Sequence, residues 1–341
     1  MITIKDIARE AGVSPSTVSR VLSNHERISE ETKRKVRDIM IKLNYHPNIM
    51  AQSLVSKTTN TFAILLPRPA EELFQDVFFG ELLRGILASS SKHHYDTLLT
   101  STSSTYDEDE LINRLVLGRR VDGVILLSSR LEDKLIKRLN ELNFPTVIIG
   151  RTEEEQQLLS VDTDNVQASF DATTHLINQG HKKIGFIGGS SNLTVSIDRL
   201  EGFKLAMNKA QLPINEDWLM DSDYLQQSSF RAISTFFQDE NRPTALVVMD
   251  DHLAFGILRT MNELDIKCPK QISLVSFNNI PLAQMASTPL SSIDIGTYQL
   301  GYTASQLLIK RLTQPSTVLN ERVIIPHRLV IRESSLNYIH S

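Results

Sequence analysis

The sequence predicts two kinds of structure in one chain: a small all-α head with a helix-turn-helix, and a larger α/β body of two doubly wound parallel sheets. The head is predicted because apolar residues recur at helical spacing in two short stretches on either side of a glycine. The body is predicted because short apolar runs of strand length alternate with helical stretches. A chain of 341 residues is also too long for one compact core, so two or three domains are expected.

The first helix of the head is predicted in TIKDIAREAG, residues 3–12. One face carries its apolar side chains, at Ile4, Ile7, Ala8 and Ala11. Thr3 caps this helix, and Asp6 reaches back toward the cap as in a capping box. Gly12 ends it, because glycine tolerates the left-handed conformation of a helix stop.

The second helix is predicted to start at Pro15, behind a cap at Ser14. Its inward side chains are Val18, Val21 and Leu22, and its outward ones are Ser16, Thr17, Ser19 and Arg20. Two short helices that join at a tight turn and leave one small polar face exposed are typical of a helix-turn-helix. An ordinary helical hairpin at a domain edge is the alternative.

A third helix is predicted over residues 29–43, and a short linker follows the bundle at residues 48–56. Nine residues fall below the length of about 12 to 15 at which an isolated helix persists in water. We therefore expect this linker to become helical only against a partner; a disordered tether is the alternative.

The strands of the body are predicted in two series. The first contains FAILLP, DTLLTS, GVILLS and TVIIG, and the second contains KKIGFIGG, ALVVMDD and ISLVSFNN. Helices are predicted near residues 165–179, 196–210, 227–238 and 250–265. Two parallel sheets of this kind bind ligands at the carboxyl ends of their strands, in the cleft between the halves.

Charge is divided unevenly along the chain. Residues 1–60 hold ten Lys and Arg against six Asp and Glu, whereas the remainder holds 26 against 34. A basic head on an acidic body suggests that only the head meets a polyanion. The single cysteine fits a reducing compartment, and neither a signal peptide nor a membrane-spanning run is apparent, so a cytoplasmic protein without membrane contact is expected.

Motifs for catalysis and for cofactor binding are missing from the sequence. IGFIGGS at residues 184–190 lacks the G-x-G-x-x-G spacing, and neither a phosphate-binding loop nor a G-x-S-x-G elbow occurs. His175 and His181 have no further ligands nearby in the sequence. We expect no enzyme, no cofactor and no metal.

Several polar side chains of the body lie where a predicted strand ends or a predicted helix begins. They are Arg151, Arg199, Tyr224, Asp250 and Asn278. A carboxylate, an amide, a guanidinium and an aromatic face together suit the hydroxyls and the apolar ring face of a sugar. Helix capping and hinge contacts are the alternative.

Head, linker and body together resemble the LacI/GalR family of transcriptional regulators over residues 2 to about 334. The motifs that carry the resemblance are TIKDIAREAGVSPSTVSRVLSN, RISEETKRKVRDIMIKLNYHPN, MAQSLVSK, THLINQGHKKIGFIGG and RLEGF. The resemblance implies a body of the type I periplasmic-binding-protein kind. It also implies a DNA-binding domain at 1–46, a hinge at 47–60, an effector-binding domain at 61–334 and a tail at 335–341. The N-subdomain would take residues 61–161 and 290–320, and the C-subdomain would take residues 162–289 and 321–334.

The resemblance places the second helix in the major groove and Leu54 as a wedge in the minor groove. The DNA-binding residues that it implies are Thr3, Pro15, Ser16, Thr17, Ser19, Arg20, Asn24, Arg27, Gln52, Leu54 and Val55. Gln52 stands where many members of the family have arginine. The effector-binding residues that it implies are Phe74, Phe78, Phe79, Arg151, Arg199, Tyr224, Asp250 and Asn278. Asn278 is a departure, because aspartate is frequent at that position.

Within the family, MAQSLVSK, FFGELLRGI and TVIIGR look most like the maltose-operon repressors. The resemblance implies a repressor that binds a pseudo-palindromic double-stranded operator as a homodimer and is released by a small sugar, maltose or a maltodextrin. Two other interpretations stay open: a purine or protein corepressor that tightens DNA binding, and a stand-alone sugar-binding protein.

Overall fold

The computed structural model describes residues 2–23, 25–46, 58–66, 77–101, 105–127, 130–131, 133–152, 158–221, 236–238, 241–315 and 321–336. Two compact units make up the chain, Met1–Thr59 and Asn60–Ser341. In the described residues, no helix has both the length and the apolar content that a membrane crossing requires.

The first unit is a bundle of α1 (Ile4–Ala11), α2 (Pro15–Leu22) and α3 (Glu30–Lys42). Its buried core consists of Ile7, Ala8, Ala11, Val18, Val21 and Val36. Ile4, Leu22, Ile39, Met40 and Leu43 are only partly buried around that core. The predicted inward faces of the three helices therefore meet as expected.

The ends of α1 and α2 follow the predicted signals. The Asp6 carboxylate accepts the Thr3 backbone N–H at 3.0 Å and the Thr3 hydroxyl at 2.7 Å. Gly12 has a φ of +65°, in the left-handed region where a side chain is unfavourable. Ser14 Oγ accepts the Thr17 backbone N–H at 3.1 Å, which satisfies one free donor at the start of α2.

The second unit contains two six-stranded sheets. The first sheet has the order β11-β5-β4-β3-β1-β2, with all its strands parallel. Its strands are β1 (Thr61–Leu66), β2 (Asp96–Ser101), β3 (Gly123–Leu126), β4 (Thr146–Ile149), β5 (Leu159–Thr163) and β11 (Arg322–Ile325). We call this sheet and the helices that pack on it the N-subdomain.

The second sheet has the order β12-β10-β9-β8-β6-β7, and only β12 runs antiparallel to its neighbour. Its strands are β6 (Ile184–Ile187), β7 (Leu219–Met220), β8 (Ala245–Val248), β9 (Ser273–Phe277), β10 (Ser291–Asp294) and β12 (Arg328–Val330). We call this sheet and its helices the C-subdomain.

Helices cover the faces of both sheets. They are α4 (Val77–Lys92), α5 (Thr105–Ile112), α6 (Lys134–Glu141), α7 (Asn165–Asn178), α8 (Thr194–Lys209), α9 (Asp251–Glu263) and α10 (Thr297–Thr313). A π-helical segment, Asn113–Leu117, continues α5. The fold class predicted from the sequence is confirmed, although the pattern did not identify β5, β7, β10, β11 or β12.

The chain passes between the two subdomains at three crossovers, and their positions correct the expected boundaries. β10 lies in the C-subdomain because Ser292 pairs in register with Ser276 of β9, whereas residues from 290 onward were expected in the N-subdomain. β11 lies in the N-subdomain because Val323 pairs with Val161 of β5, whereas residues from 321 onward were expected in the C-subdomain. The first crossover likewise follows Thr163 rather than residue 161.

One side chain joins the three crossovers. Thr163 Oγ1 lies 3.2 Å from the Ile295 carbonyl oxygen and 3.0 Å from the Ile325 carbonyl oxygen. Thr163 itself ends β5 and is buried. Its hydroxyl therefore connects the segments about which the subdomains are joined.

Glycine 202 allows α7 and α8 to pack closely in the C-subdomain. A Cβ atom at Gly202 would lie 2.0 Å from the Val166 carbonyl oxygen, far inside van der Waals contact. The glycine of the RLEGF motif is thus required by packing.

Candidate nucleic-acid interface and ligand pocket

The outward face of α2 is small and polar, as the sequence predicts. Pro15, Ser16 and Arg20 are exposed, whereas Thr17 and Ser19 are half-buried. Because α2 starts at Pro15, its first turn carries Pro15, Ser16 and Thr17 at the exposed end of the helix. Side chains on the first turn of such a helix are well placed to reach base edges in a major groove.

A cluster of hydroxyls fixes the start of this face. Ser14 Oγ lies 2.7 Å from Ser16 Oγ and 2.9 Å from Thr17 Oγ1. The three hydroxyls therefore orient one another before any partner is present. A base that Ser16 recognises would have to share or replace the hydrogen bond with Ser14.

Of the other predicted DNA contacts, two lie in the described part of the head. Thr3 and Arg27 are exposed, and the Arg27 backbone N–H donates to His25 Nδ1 at 3.2 Å. Asn24, Gln52, Leu54 and Val55 lie outside the described residues, as do Phe74 and Tyr224 of the predicted effector set. Their roles stay predictions.

In the body, we define the candidate ligand pocket as the group of side chains around Arg199, a buried member of the predicted effector set. The Arg199 side chain is 3% exposed and projects from α8 toward the carboxyl ends of β8 and β9. Arg199 Nε donates to Asn165 Oδ1 at 3.0 Å, and Nη1 donates to the Met249 carbonyl oxygen. The guanidinium carbon stacks 4.1 Å from the centre of the Phe277 ring. The group is thus held rigidly by neutral partners.

Carboxylates surround this guanidinium at longer range. Burial lowers the pKa of Arg199 to about 10, while the charges of Asp250, Asp162, Asp251 and Asp198 oppose that shift. Arg199 therefore stays protonated at neutral pH. The pocket as a whole contains more acidic than basic side chains.

Asp250 and Asn278 stand at adjacent strand ends, as the sequence predicts. Asp250 is half-buried, and its Oδ1 accepts the Leu253 backbone N–H at 2.7 Å, so one of its oxygens caps α9. Asn278 has a φ of +93°, and its backbone N–H donates to the Ile293 carbonyl oxygen at 2.9 Å. Asn278 is half-buried at the end of β9.

A cavity of about 430 Å³ opens where the two subdomains meet beside Asn278. Phe78 of α4 lines it together with Thr297 and Tyr298 of α10. Phe78 and Phe79 both pack against the core, with their ring centres 5.1 Å apart, but Phe79 does not line the cavity. Of the described residues in the predicted effector set, only Phe78 and Asn278 line this cavity.

Arg151 does not extend into open space. Its guanidinium forms a two-pronged ion pair with Asp198 of α8, with Nε 2.8 Å and 3.0 Å from the two carboxylate oxygens. The sequence predicted that Arg151 and Arg199 both bind the effector. In the structure, Arg151 instead pairs with a carboxylate of the protein.

The sequence analysis missed several side chains of the pocket. Asn165 and Phe277 contact Arg199 directly, and Asp162 and Asp198 contribute charge. In the DTDN motif at residues 162–165, Asp164 accepts the Gln167 backbone N–H at 2.9 Å and caps α7. This motif overlaps the end of β5, a strand that the sequence pattern did not identify, so no signal for its place in the pocket was available.

Metal coordination finds no support in the described part of the chain, where no three His, Cys, Asp or Glu side chains form a group that would hold an ion. His175 Nε2 lies 2.8 Å from Ser335 Oγ, and His181 Nδ1 lies 2.9 Å from Thr244 Oγ1. Both imidazoles thus have hydroxyl partners.

A helix-turn-helix head followed by two parallel-sheet subdomains is the architecture of a class of DNA-binding transcriptional regulators. Residues 3–48 match bacterial regulatory proteins of the lacI family, and residues 173–335 match a periplasmic binding protein-like domain. The HTH-type transcriptional regulator MalR of Streptococcus pneumoniae is 34% identical to the chain, over 96% of it and 99% of the relative. The chain belongs to the LacI family.

Relatives at similar identity have different names. Catabolite control protein A of Priestia megaterium is 30% identical, over 98% of this chain and 99% of its own length. The crystal structure described as a probable maltose operon transcriptional repressor of Staphylococcus aureus is 29% identical, with a TM-score of 0.72. It covers 82% of this chain and 99% of its own.

Proposed function

We propose that the chain is a sequence-specific repressor of a sugar-utilisation operon, released from its operator by a small sugar. Maltose or a maltodextrin is the effector we propose. The observation that carries the proposal is the convergence of a buried guanidinium, a carboxylate, an amide and an aromatic ring at strand ends around Arg199, beside the cavity that Asn278 lines. Two relatives named for a maltose regulator support the choice of sugar.

The charge around Arg199 favours a neutral ligand. Four carboxylates act on Arg199, and two nearby guanidinium groups are already paired, Arg151 with Asp198 and Arg322 with Asp162. A phosphate or carboxylate on the ligand would add negative charge to this set at low local dielectric, which is unfavourable. Hydroxyl groups both donate and accept, so a polyol suits Arg199, Asp250 and Asn278 together.

Operator reading is assigned to the exposed face of α2. Ser16 and Arg20 would donate hydrogen bonds to base edges, and Pro15 would make an apolar contact, for instance with a thymine methyl group. Arg27 would meet a phosphate and contribute affinity without sequence information. Thr3, Thr17, Ser19 and Asn24 complete the proposed set.

The proposed hinge spans residues 47–60, between the head at 1–46 and the effector domain at 61–334. Leu54 would wedge between central base pairs from the minor groove, with Gln52 and Val55 beside it. Two hinge segments side by side require a homodimer and a pseudo-palindromic operator. Sugar binding would close the cleft, separate the hinge segments and weaken the operator complex.

Fluorescence anisotropy with a labelled operator, selected from random duplexes, tests the proposal. We expect maltose to weaken operator binding by about 5- to 150-fold, the usual range of coupling between two sites. Arg199→Ala should bind the operator normally and ignore maltose, with Lys204→Ala on the same helix as the control. Tighter operator binding with maltose would contradict the proposed sign, and failure of every sugar in a panel would contradict the effector class.

A further inference from the structure

One ion pair connects the two subdomains across the ligand cleft. Arg151 follows β4 in the N-subdomain, and Asp198 lies in the second turn of α8 in the C-subdomain. Arg151 Nε donates to both carboxylate oxygens, and Nη2 donates to Oδ1 at 2.5 Å. The Arg151 and Asp198 side chains are 22% and 7% exposed, so water screens this two-pronged contact only weakly.

A backbone contact crosses the cleft at the start of the same helix. The Leu131 N–H donates to the Asn192 carbonyl oxygen at 3.0 Å, and Arg130 forms an antiparallel bridge with Leu193. Residues 130–131 follow β3 of the N-subdomain, and Leu193 caps α8. The first turns of α8 are therefore attached to the N-subdomain by main chain and by charge.

The ion pair is adjacent in sequence to the centre of the ligand pocket. Asp198 and Arg199 are consecutive on α8, so their side chains leave the helix about 100° apart. Arg199 reaches Asn165 and Phe277 inside the C-subdomain, whereas Asp198 reaches across to Arg151. A displacement of this helical turn moves both groups together.

We propose that Arg151 and Asp198 form a cleft latch, a positioning pair that favours the closed cleft over the open one, lowers the cost of the closure that sugar drives, and so couples the effector to the operator. In this role Arg151 acts on the effector through closure of the cleft and makes no contact with it. The coupling part of the proposal rests on the proposed function; the closure part does not.

The effect of an ion pair on the equilibrium between the open and closed cleft depends on whether the pair joins two moving subdomains or lies within one. An ion pair between two moving bodies exists only in the closed arrangement and therefore favours it, whereas one within a single body favours neither arrangement. The pair formed by Arg138 and Glu141 on α6, at 3.1 Å, lies wholly within the N-subdomain. It supplies a matched control.

The first experiment measures closure with no sugar present. Spin labels at Lys137→Cys and Asn208→Cys, both exposed, report the distance between α6 and α8. The native Cys268 is only half-buried, so it is replaced by serine in every labelled protein. We expect Asp198→Asn to shift the distances outward and broaden them, Arg151→Lys to have a smaller effect, and Glu141→Gln to have none.

An unchanged distance distribution in Asp198→Asn would overturn the latch, whether or not any sugar binds. Asp198→Asn leaves no unpaired buried carboxylate, so it is the variant on which the test depends. A distribution that shifts equally in Glu141→Gln would also overturn it, because the effect would then be unspecific.

The second experiment separates the latch from direct contact by calorimetry with maltose. Asp198→Asn and Arg151→Gln should each weaken maltose binding about tenfold, and the double variant should lose no more than either one. Independent losses that multiply to about a hundredfold would make Arg151 a direct contact and overturn this part of the proposal. A parent that binds no sugar would contradict the proposed function, while the distance measurement would still decide the latch.

Discussion

Asparagine in place of Asp162 should stabilise the body at neutral pH and remove part of its pH dependence. Asp162 lies in β5, and its side chain is 8% exposed. Its Oδ1 accepts the Thr163 backbone N–H at 2.8 Å and the Asn165 amide at 3.1 Å, while Oδ2 lies 3.4 Å from Arg322. Burial raises the pKa of Asp162 from 3.8 to about 6, against the opposing effects of Thr163 and Arg322.

The sign and size of the effect follow from this pKa. A carboxyl group whose pKa is higher in the folded state stabilises the fold below its unfolded pKa of 3.8 and loses that contribution as the pH rises through about 6. A shift of about two units corresponds to about 3 kcal/mol at neutral pH. Asparagine keeps both hydrogen bonds to Oδ1. It loses the charge attraction to Arg199 and the ion pair with the half-exposed Arg322, of which the latter contributes about 1 kcal/mol at most.

We therefore expect Asp162→Asn to gain about 2 kcal/mol in unfolding free energy near pH 7.5 and to match the parent near pH 4. Urea unfolding of both proteins across this range measures the difference. Asp265→Asn is the control, because the Asp265 side chain is 87% exposed. If the unfolding free energy of Asp162→Asn followed the same pH profile as that of the parent, the raised pKa inferred from the burial of Asp162 would be contradicted.

Three further substitutions test other parts of the fold. Ser14→Ala removes the cap that accepts the Thr17 N–H, so the head should lose about 1 kcal/mol of stability with no loss in the body. The loss of operator binding on heating measures the unfolding of the head. Gly202→Ala places a Cβ 2.0 Å from the Val166 carbonyl oxygen, so α7 and α8 must separate and the body should lose about 3 kcal/mol or more in urea unfolding. Normal stability of that variant would mean that the helices pack less closely. Thr163→Val removes the hydroxyl that connects the three crossovers, so about 1 to 3 kcal/mol should be lost and hydrogen exchange should rise at Ile295 and Ile325; exchange unchanged at both would contradict the role of the hydroxyl.

Local signals made the head predictable. Thr3, Gly12 and Ser14 act on backbone groups within four residues, so their effects can be read from sequence alone. The burial of Val18 and Val21 follows from helical spacing on elements of eight residues each. Such signals depend little on the remainder of the chain.

Long-range pairing limited the prediction of the body and its pocket. Arg151 and Asp198 are 47 residues apart, and neither position shows by itself which partner it will meet. β10 and β11 are four-residue strands whose sheet is chosen by register with β9 and β5, not by their own composition. The resemblance to the family therefore located the crossovers only to within several residues.

Strand-end polar residues were predicted as a group, but not their arrangement. Arg199, Asp250 and Asn278 do stand near the carboxyl ends of β8 and β9. Contacts such as the stacking of Arg199 on Phe277 depend on side-chain packing, for which the sequence has no periodic signal.

We propose that a small neutral sugar weakens the binding of the head to its operator through Arg199. Titration of the operator complex with maltose, in parallel for the parent and for Arg199→Ala, decides this point. We expect the parent to be released and the variant to stay bound, with equal operator affinity before sugar is added. Release of both proteins at the same maltose concentration would contradict it.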